Sequence, residues 1–290
     1  MTRPSILVTG AQGQLGVVLA ARLRAHGEVR ATSRAELDLT DADSIVTSVR
    51  QARPALIVNA AAYTAVDRAE EDRETAYAVN ARAPGLLAEE AKRSGAVLVH
   101  FSTDYVFDGA RLTPYPEDAP TAPLNVYGAS KLAGEAAIAA TGASALVFRT
   151  SWVYGARGAN FLVTIRRLAA ERDELRIVAD QVGVPNWTHT LAHAVDRIVG
   201  LGLRALADRS GVYHLCSAGE ASWYDFACAI VRRTCSAPKR IVPITTAEFP
   251  RPARRPAYAV LDTAKFRRVF GFSLPDWQGE LEACLHNSPG

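Results

Sequence analysis

Short apolar runs recur along the first half of the chain, and each is followed by a stretch with helical spacing. Ile6-Leu7-Val8, inside a run over residues 5–9, is the first. Helical periodicity then covers residues 14–26, and residues 29–32 read as a second strand. Residues 41–51 form a helical pattern with Thr40 or Asp41 as its cap. Leu56-Ile57-Val58, residues 97–101 and Leu146-Val147-Phe148 are three further strands. Between them lie a helical region over about residues 75–94 and a helix that carries Tyr127 and Lys131 and runs to about Ala140. Strands this continuously apolar are buried on both faces, and their alternation with helices predicts a parallel sheet with right-handed crossovers. The fold class that follows is α/β, a doubly wound parallel sheet of the Rossmann type. After Thr150 the pattern loosens. Helices are expected over residues 161–171, 191–207 and 222–233 and near Ala264 and Glu280, with a strand over 212–215.

The turn between the first strand and helix reads Gly10-Ala11-Gln12-Gly13-Gln14-Leu15-Gly16. Glycines there let the backbone turn tightly and let a pyrophosphate approach the helix N-terminus, although the first gap is wider than in G-x-G-x-x-G. Residues 1–150 are therefore assigned to a dinucleotide-binding domain, rejoined by about 174–186 and 210–217. The remainder of 151–290 is assigned to a smaller α/β lobe over the carboxyl edge of the sheet, with an interleaved boundary. An acid at the end of the second strand would take a free ribose 2′-hydroxyl. Here the strand ends Ala31-Thr32-Ser33-Arg34. Arg34, with Ser33, suits a 2′-phosphate, so NADPH is expected as cofactor with NADH as the second choice; a solvated surface arginine is the plainer reading.

Tyr127 stands four residues before Lys131, which puts both side chains on one helix face. A lysine cation beside a phenol favours the phenolate and lowers its pKa. Such a tyrosine can protonate a carbonyl oxygen as hydride arrives at carbon, with the Thr103 hydroxyl holding the same oxygen. An amphipathic face with a snorkelling lysine has the same spacing, so the pair is unspecific by itself. Asp104 can orient a substrate or simply serve a turn. Trp152 and Tyr154 follow the fifth strand, where ligands bind in such sheets, and can stack on a base or sugar or pack in the core. Arg254 and Arg255 can neutralise a diphosphate or form a solvated face.

Composition narrows the partners. The chain has 290 residues, an apolar fraction of 49% and a net charge of +3 with no long charged run, which argues against nucleic acid. Its four cysteines form no Cys-x-x-Cys pair, so reduced thiols in a cytoplasmic protein are expected. The chain enters its first strand almost at once, leaving no room for a signal peptide, and no apolar run is long enough to cross a membrane. His189 and His193 share a helical face but lack the Glu of a zinc-protease motif, so no metal is expected.

Together the glycine turn, Asn59-Ala60-Ala61-Ala62, Ser102-Thr103-Asp104-Tyr105-Val106-Phe107 and Tyr127-x-x-x-Lys131 resemble the extended short-chain dehydrogenase/reductase family. The strings Asn125-Val126-Tyr127-Gly128, Arg149-Thr150-Ser151-Trp152-Val153-Tyr154, Trp223-Tyr224-Asp225 and Pro252-Ala253-Arg254-Arg255-Pro256 are similar to its dTDP-4-dehydrorhamnose reductase branch. The resemblance implies NADPH-dependent reduction of the C4 ketone of a dTDP-linked 4-keto-6-deoxy sugar. It implies Tyr127 as proton donor, Lys131 on the nicotinamide ribose, and Thr103 on the reacting oxygen with Asp104 and Tyr105 beside the sugar. Gly10, Gln12, Gly13, Gln14, Leu15 and Gly16 would line the pyrophosphate. Asp38 and Leu39 would lie near the adenine, and Ala60, Ala61 and Tyr63 near the rest of the cofactor. Trp152, Asn186 and Arg254 would meet the nucleotide-sugar. Some members dimerise through magnesium held by glutamates, where Val18 and His189 stand here. Neither is a good magnesium ligand, so a monomer or weak homodimer without metal is expected. An antibiotic-sugar reductase, an epimerase or dehydratase, and a non-catalytic nucleotide-binding subunit are the alternatives.

Overall fold

The structure, a computed structural model, describes residues 3–235 and 239–286. Five strands of the first half, β1 (Ser5–Thr9), β2 (Glu28–Thr32), β3 (Leu56–Asn59), β4 (Val97–Thr103) and β5 (Ala145–Thr150), join Gly211–His214 in one six-stranded sheet. From one edge the order is β2, β1, β3, β4, β5 and Gly211–His214, and every neighbouring pair is parallel. The order reverses between β1 and β3, the crevice where such sheets bind ligands. Alternate side chains face two separate cores. Ile6, Val8 and Val58 pack with Leu15 and Leu19 of helix α1 (Gln14–Leu23) and with Leu191 and Val195. Leu7, Ile57 and Leu98 pack with Ile45, Val49, Leu87 and Ile138 on the other side.

Several boundaries differ from expectation. The first helix ends at Leu23, and His26 beyond it meets Asp196 at 2.8 Å. The helix over Ala42–Ala52 is capped by Asp41, whose carboxylate accepts from the Asp43 N–H. The region expected as one helix over 75–94 contains a π-helical turn, Ala78–Arg82, before Ala83–Ser94. Pro84 has no N–H to give the Asn80 carbonyl four residues back, which favours the wider turn. The helix expected over 191–207 is two, Thr188–Val199 and Leu203–Ala207, parted at Gly202, which sits at φ +90.

Residues 174–186 do not rejoin the main sheet. Glu174–Val178 pairs in parallel with Arg240–Ile244 as a separate two-stranded sheet. Glu174 and Arg176 alternate with Leu175 and Ile177 and are exposed, so this strand has one wet face and cannot serve in a sheet covered on both sides. Two more ribbons of two residues each, Val182–Gly183 with Ala221–Ser222 and Val153–Tyr154 with Asn186–Trp187, complete the lobe. They surround a third core of Tyr154, Leu162, Phe226, Ile230, Trp277 and Leu281.

Candidate active site

The loops after β1, β3, β4 and β5 meet at the carboxyl edge of the sheet. Gly10 has φ +65, and a Cβ there would lie 2.7 Å from the Ala61 Cα, so the glycine turn presses directly on Ala60-Ala61 after β3. Gly13 caps α1 with no side-chain bond, leaving the first-turn N–H groups open to an anion. Leu15 and Gly16 are buried, while Gln12 and Gly13 are exposed. Gln14 accepts from Asn160 Nδ2 at 2.7 Å and so ties the turn to the loop leading out of β5. Tyr63 donates its hydroxyl to Asp72 at 3.1 Å. At the end of β2, Ser33 gives both its N–H and its hydroxyl to Glu36 at 2.8 Å. Asp38 turns back to accept from the N–H and hydroxyl of Thr40, bonds that hold its carboxyl below the usual range. Leu39 is buried in the core with Ile45. Arg34, 79% exposed, reaches into solvent 3.9 Å from Asp38.

Tyr127 lies in the first turn of the helix Val126–Thr141, capped by Asn125, whose Oδ1 accepts from the Gly128 N–H at 2.8 Å. A Cβ at Gly128 would lie 2.1 Å from the Tyr105 carbonyl oxygen, so only glycine lets this helix settle onto the turn Asp104–Val106. Tyr127 thereby meets Tyr105 edge to face, with ring centroids 5.9 Å apart. The Thr103 hydroxyl donates to Asp104 Oδ1 at 2.9 Å. Asp104 is buried, its Oδ2 has no partner among the described residues, and burial pushes its carboxyl up to about 7.

The expected lowering of the tyrosine pKa does not occur here. Burial pushes the Tyr127 phenol up to about 12, against a hydrogen bond with Thr103 that lowers it and the Asp104 charge that raises it. The reason is where the lysine points. Lys131, 1% exposed, donates from Nζ to the Phe101 carbonyl at 2.5 Å and meets His100 Nε2 at 3.1 Å, turning toward β4. Burial lowers its ammonium to about 8, with Glu135 acting in the opposite sense.

On the lobe side, Trp152 adopts φ +41 and lies flat on Trp223, centroids 3.5 Å apart and planes 7° from parallel. A Cβ at Gly183 would sit 2.7 Å from the same indole. Of the basic cluster, Arg251 and Arg255 both bind Asp67, at 2.6 and 2.9 Å. Although burial raises the Asp67 carboxyl, Arg255 and Arg251 hold it down at about 2. Arg255 is thus committed to Asp67 rather than to a ligand. The Arg254 guanidinium is exposed and has no hydrogen bond or ion pair among the described residues, while its carbonyl accepts from Asn125 Nδ2 at 2.7 Å. The segment carrying Arg254 is therefore tied to the cap of the Tyr127 helix.

Asn186 is misassigned as a sugar contact. It is fully buried, donates Nδ2 to the Ser151 and Val184 carbonyls at 2.7 and 2.9 Å, and accepts from the Ser217 N–H at 2.7 Å. Its amide has no surface and no donor left for a ligand. Sequence reasoning passed over three other polar residues. His100 interrupts the apolar run of β4, and a polar residue in a strand buried on both faces was the available signal. Asn80, in the π-turn, donates to Ser130 and Tyr63. Arg149 of β5 pairs with Glu135 at 2.7 Å, both nearly inaccessible.

Over residues 4–289 the chain matches the family model described as the RmlD substrate binding domain. It is 49% identical to a dTDP-4-dehydrorhamnose reductase of Burkholderia thailandensis, over 97% of this chain and 98% of that one. This chain belongs to the dTDP-4-dehydrorhamnose reductase family. A solved family structure, from Bacillus anthracis in complex with NADP, superposes with a TM-score of 0.92 at 36% identity and covers 99% of this chain and 100% of its own. A protein of Streptomyces antibioticus named as a probable dTDP-4,6-dihydroxy-2-methyloxan-3-one 4-ketoreductase is 43% identical over 96% of this chain and 94% of its own. Family membership accords with the parallel doubly wound sheet. No helix among the described residues is long and apolar enough to cross a membrane.

Proposed function

We propose that the protein reduces the C4 ketone of dTDP-4-dehydrorhamnose to give dTDP-L-rhamnose, with NADPH as the preferred reductant. The observation that carries this reading is the convergence of Thr103, Tyr127 and Lys131 at one sheet edge in a chain 49% identical to a reductase of that name. The residues present fit the cofactor. The open first turn of α1 suits a pyrophosphate, and Arg34 suits a 2′-phosphate better than any acid nearby. NADH is the weaker alternative, because Asp38 is occupied by Thr40.

A reduced nicotinamide supplies a hydride to the C4 carbon. Thr103, its hydroxyl hydrogen turned from Asp104 Oδ1 to the substrate, holds the C4 oxygen, and Tyr127 gives that oxygen its phenolic proton, so the ketone gains one hydride and one proton and becomes an alcohol. With its pKa near 12, Tyr127 carries its proton throughout the physiological range. It releases the proton to the far more basic alkoxide only as that charge develops. Lys131, mostly an ammonium below about pH 8, is turned from the phenol toward β4, and its remaining N–H suits the nicotinamide ribose. Arg254 is available for the diphosphate and Trp152 for the sugar or base, Trp152 held flat by Trp223.

A second reading keeps the chemistry and changes the sugar. The Streptomyces antibioticus relative, at 43% identity, is named for a different dTDP-4-keto sugar. The test is turnover of dTDP-4-dehydrorhamnose with NADPH, followed by loss of reduced-nicotinamide absorbance, with the product identified by NMR. Formation of dTDP-L-rhamnose is expected. Turnover of another dTDP-4-keto sugar alone selects the second reading. Protein that carries tightly bound NAD and needs no added reductant selects an epimerase. Absence of turnover on every dTDP-4-keto sugar overturns the proposal.

A further inference from the structure

A row of buried polar side chains crosses the sheet beneath the site and ends on Lys131. Thr9 of β1 stands in register with Asn59 of β3, and Asn59 with His100 of β4. Thr9 and Lys131 are 1% exposed, and Asn59 and His100 are inaccessible. Thr9 Oγ1 is 2.6 Å from Asn59 Oδ1, Asn59 Nδ2 is 3.0 Å from His100 Nδ1, and His100 Nε2 is 3.1 Å from Lys131 Nζ. Three polar residues buried at the middle of the sheet carry a desolvation cost, and the hydride-transfer chemistry above uses none of them.

Proton counting limits what the row can do. Burial, and then the Lys131 charge, drive the His100 pKa well below its ordinary value, so the ring is neutral and carries a single N–H. An ammonium has donors only. Facing it, His100 Nε2 must accept, Nδ1 must carry the hydrogen, and Asn59 must turn its carboxamide oxygen to Nδ1 and its NH2 to Thr9. Facing a neutral lysine amine, Nε2 donates, Nδ1 accepts from the Asn59 NH2, and Thr9 donates to the Asn59 oxygen. The two ends of a carboxamide fill the same space; the orientation for a neutral lysine also lets Asn59 Oδ1 accept from the Ala61 N–H at 3.3 Å, and the orientation for the ammonium gives up that long contact. Neither Asn59 nor Thr9 accepts a proton outright, and the row does not reach solvent. It is a brace, not a conduit.

We propose that His100 is a positioning residue for Lys131: with the Phe101 carbonyl it occupies two of the three ammonium N–H groups and leaves the third for the active site. The same contact stabilises the charged lysine, and His100 changes tautomer whenever Lys131 changes charge. The other ionisable groups around this lysine are accounted for. Glu135, one turn further on the same helix, is held by Arg149 of β5 and by Ser102 of β4. Tyr127 keeps its proton, and Asp104 acts on Tyr127. Glu135 raises the Lys131 pKa through its charge while spent on Arg149 and Ser102, and His100 is the side chain in direct contact with Nζ. The role in catalysis rests on the reductase reading above; the pairing itself does not.

The chain has four lysines, Lys92, Lys131, Lys239 and Lys265, so full-length protein labelled with 13C- and 15N-lysine gives few signals, and a Lys131→Met variant assigns the one of interest. Titration of the Lys131 Cε shift in the wild type is expected to show a midpoint near 8. His100→Asn, too short to reach Nζ, should lower that midpoint by about one unit, the scale of a lost hydrogen bond to a charged group. His100→Gln, which keeps an acceptor at that reach, should stay within about a third of a unit of the wild type. The high-pH limb of kcat/KM should move with the midpoint. In the wild type, 15N shifts of His100 should report Nδ1–H below the lysine midpoint and Nε2–H above it, a measurement that needs no variant to fold. One tautomer across the range, or an unmoved midpoint in His100→Asn, overturns the proposal. If the wild type reduces no sugar, the functional reading fails while the NMR titration still judges His100.

Discussion

In the sheet half, Leu7, Ile57, Leu98 and Val147 come from four parallel strands, and backbone ladders fix where each strand ends. In the lobe, the ribbons that hold Trp152, Gly183 and Asn186 in place are two residues long. Ladders that short fix little. Their work is taken over by side chains: the Asn186 amide joins three backbone segments, and Trp152 stacks on Trp223, which Phe161 meets at a tilt. The consequence is a division of labour. Thr103, Tyr127 and Lys131 sit on elements whose positions are set by the main chain, and a side chain such as His100 sets only the direction of Lys131. Groups suited to the sugar and nucleotide sit on a scaffold that single substitutions can reshape. This is a physical route by which relatives sharing one reaction can come to differ in sugar.

The largest expected effect breaks chemistry and leaves the scaffold whole. Tyr127→Phe should lower turnover about a hundredfold or more, the scale of a lost general acid, with NADPH affinity and thermal stability unchanged. Fluorescence titration of NADPH beside the kinetic assay checks it, and an unchanged rate would show that the proton comes from another group. The converse is Asn186→Leu, which keeps the side-chain volume but strands the Ser217 N–H and the Ser151 and Val184 carbonyls in a dry interior. A loss of about 3 kcal/mol is expected. It should appear as a lower thermal midpoint. A small or zero shift would mean that backbone pairing, not the amide, organises the lobe.

The same contrast explains how much was readable in advance. Ile6-Leu7-Val8 and Leu56-Ile57-Val58 are apolar at every position because both faces of their sheet are covered, and such strands are hard to mistake. The Tyr127–Lys131 pair was legible from helical spacing, but its electrostatics were not, because the direction of Lys131 depends on His100 and Phe101 in a strand some thirty residues earlier. Residues 174–186 read as returning to the main sheet, whereas Glu174–Val178 pairs with Arg240–Ile244, since the pattern of a segment does not name its neighbour. Asn186 reads as a ligand residue only because the family resemblance places its string in a loop near the sugar. Its burial arises from contacts with residues 151, 184 and 217, and no local pattern announces that.

A smaller effect separates two adjacent arginines. Arg254 has no partner among the described residues, whereas Arg255 is spent on Asp67. Arg254→Ala should raise KM for the dTDP-sugar about tenfold with kcat nearly unchanged, as expected when an interaction is made equally in ground and transition states. Arg255→Ala should leave KM close to wild type and lower stability instead, because Asp67 then keeps Arg251 as its one guanidinium. Equal KM effects from both would show that the Asp67 pairs open when the nucleotide binds.

The smallest expected effect is none at all. Val18 packs against the core between α1 and the helix Thr188–Val199, and His189 lies stacked on Trp187 with centroids 4.7 Å apart. Burial, and then the Arg22 charge, lower the His189 pKa, which makes the ring neutral near pH 7. Magnesium requires oxygen ligands in octahedral array, and an aliphatic side chain and a stacked imidazole supply none. We therefore expect a monomer or weak dimer whose sedimentation coefficient and turnover are the same with EDTA as with magnesium. A stable dimer that dissociates on chelation would show that carboxylates elsewhere on this surface hold the ion.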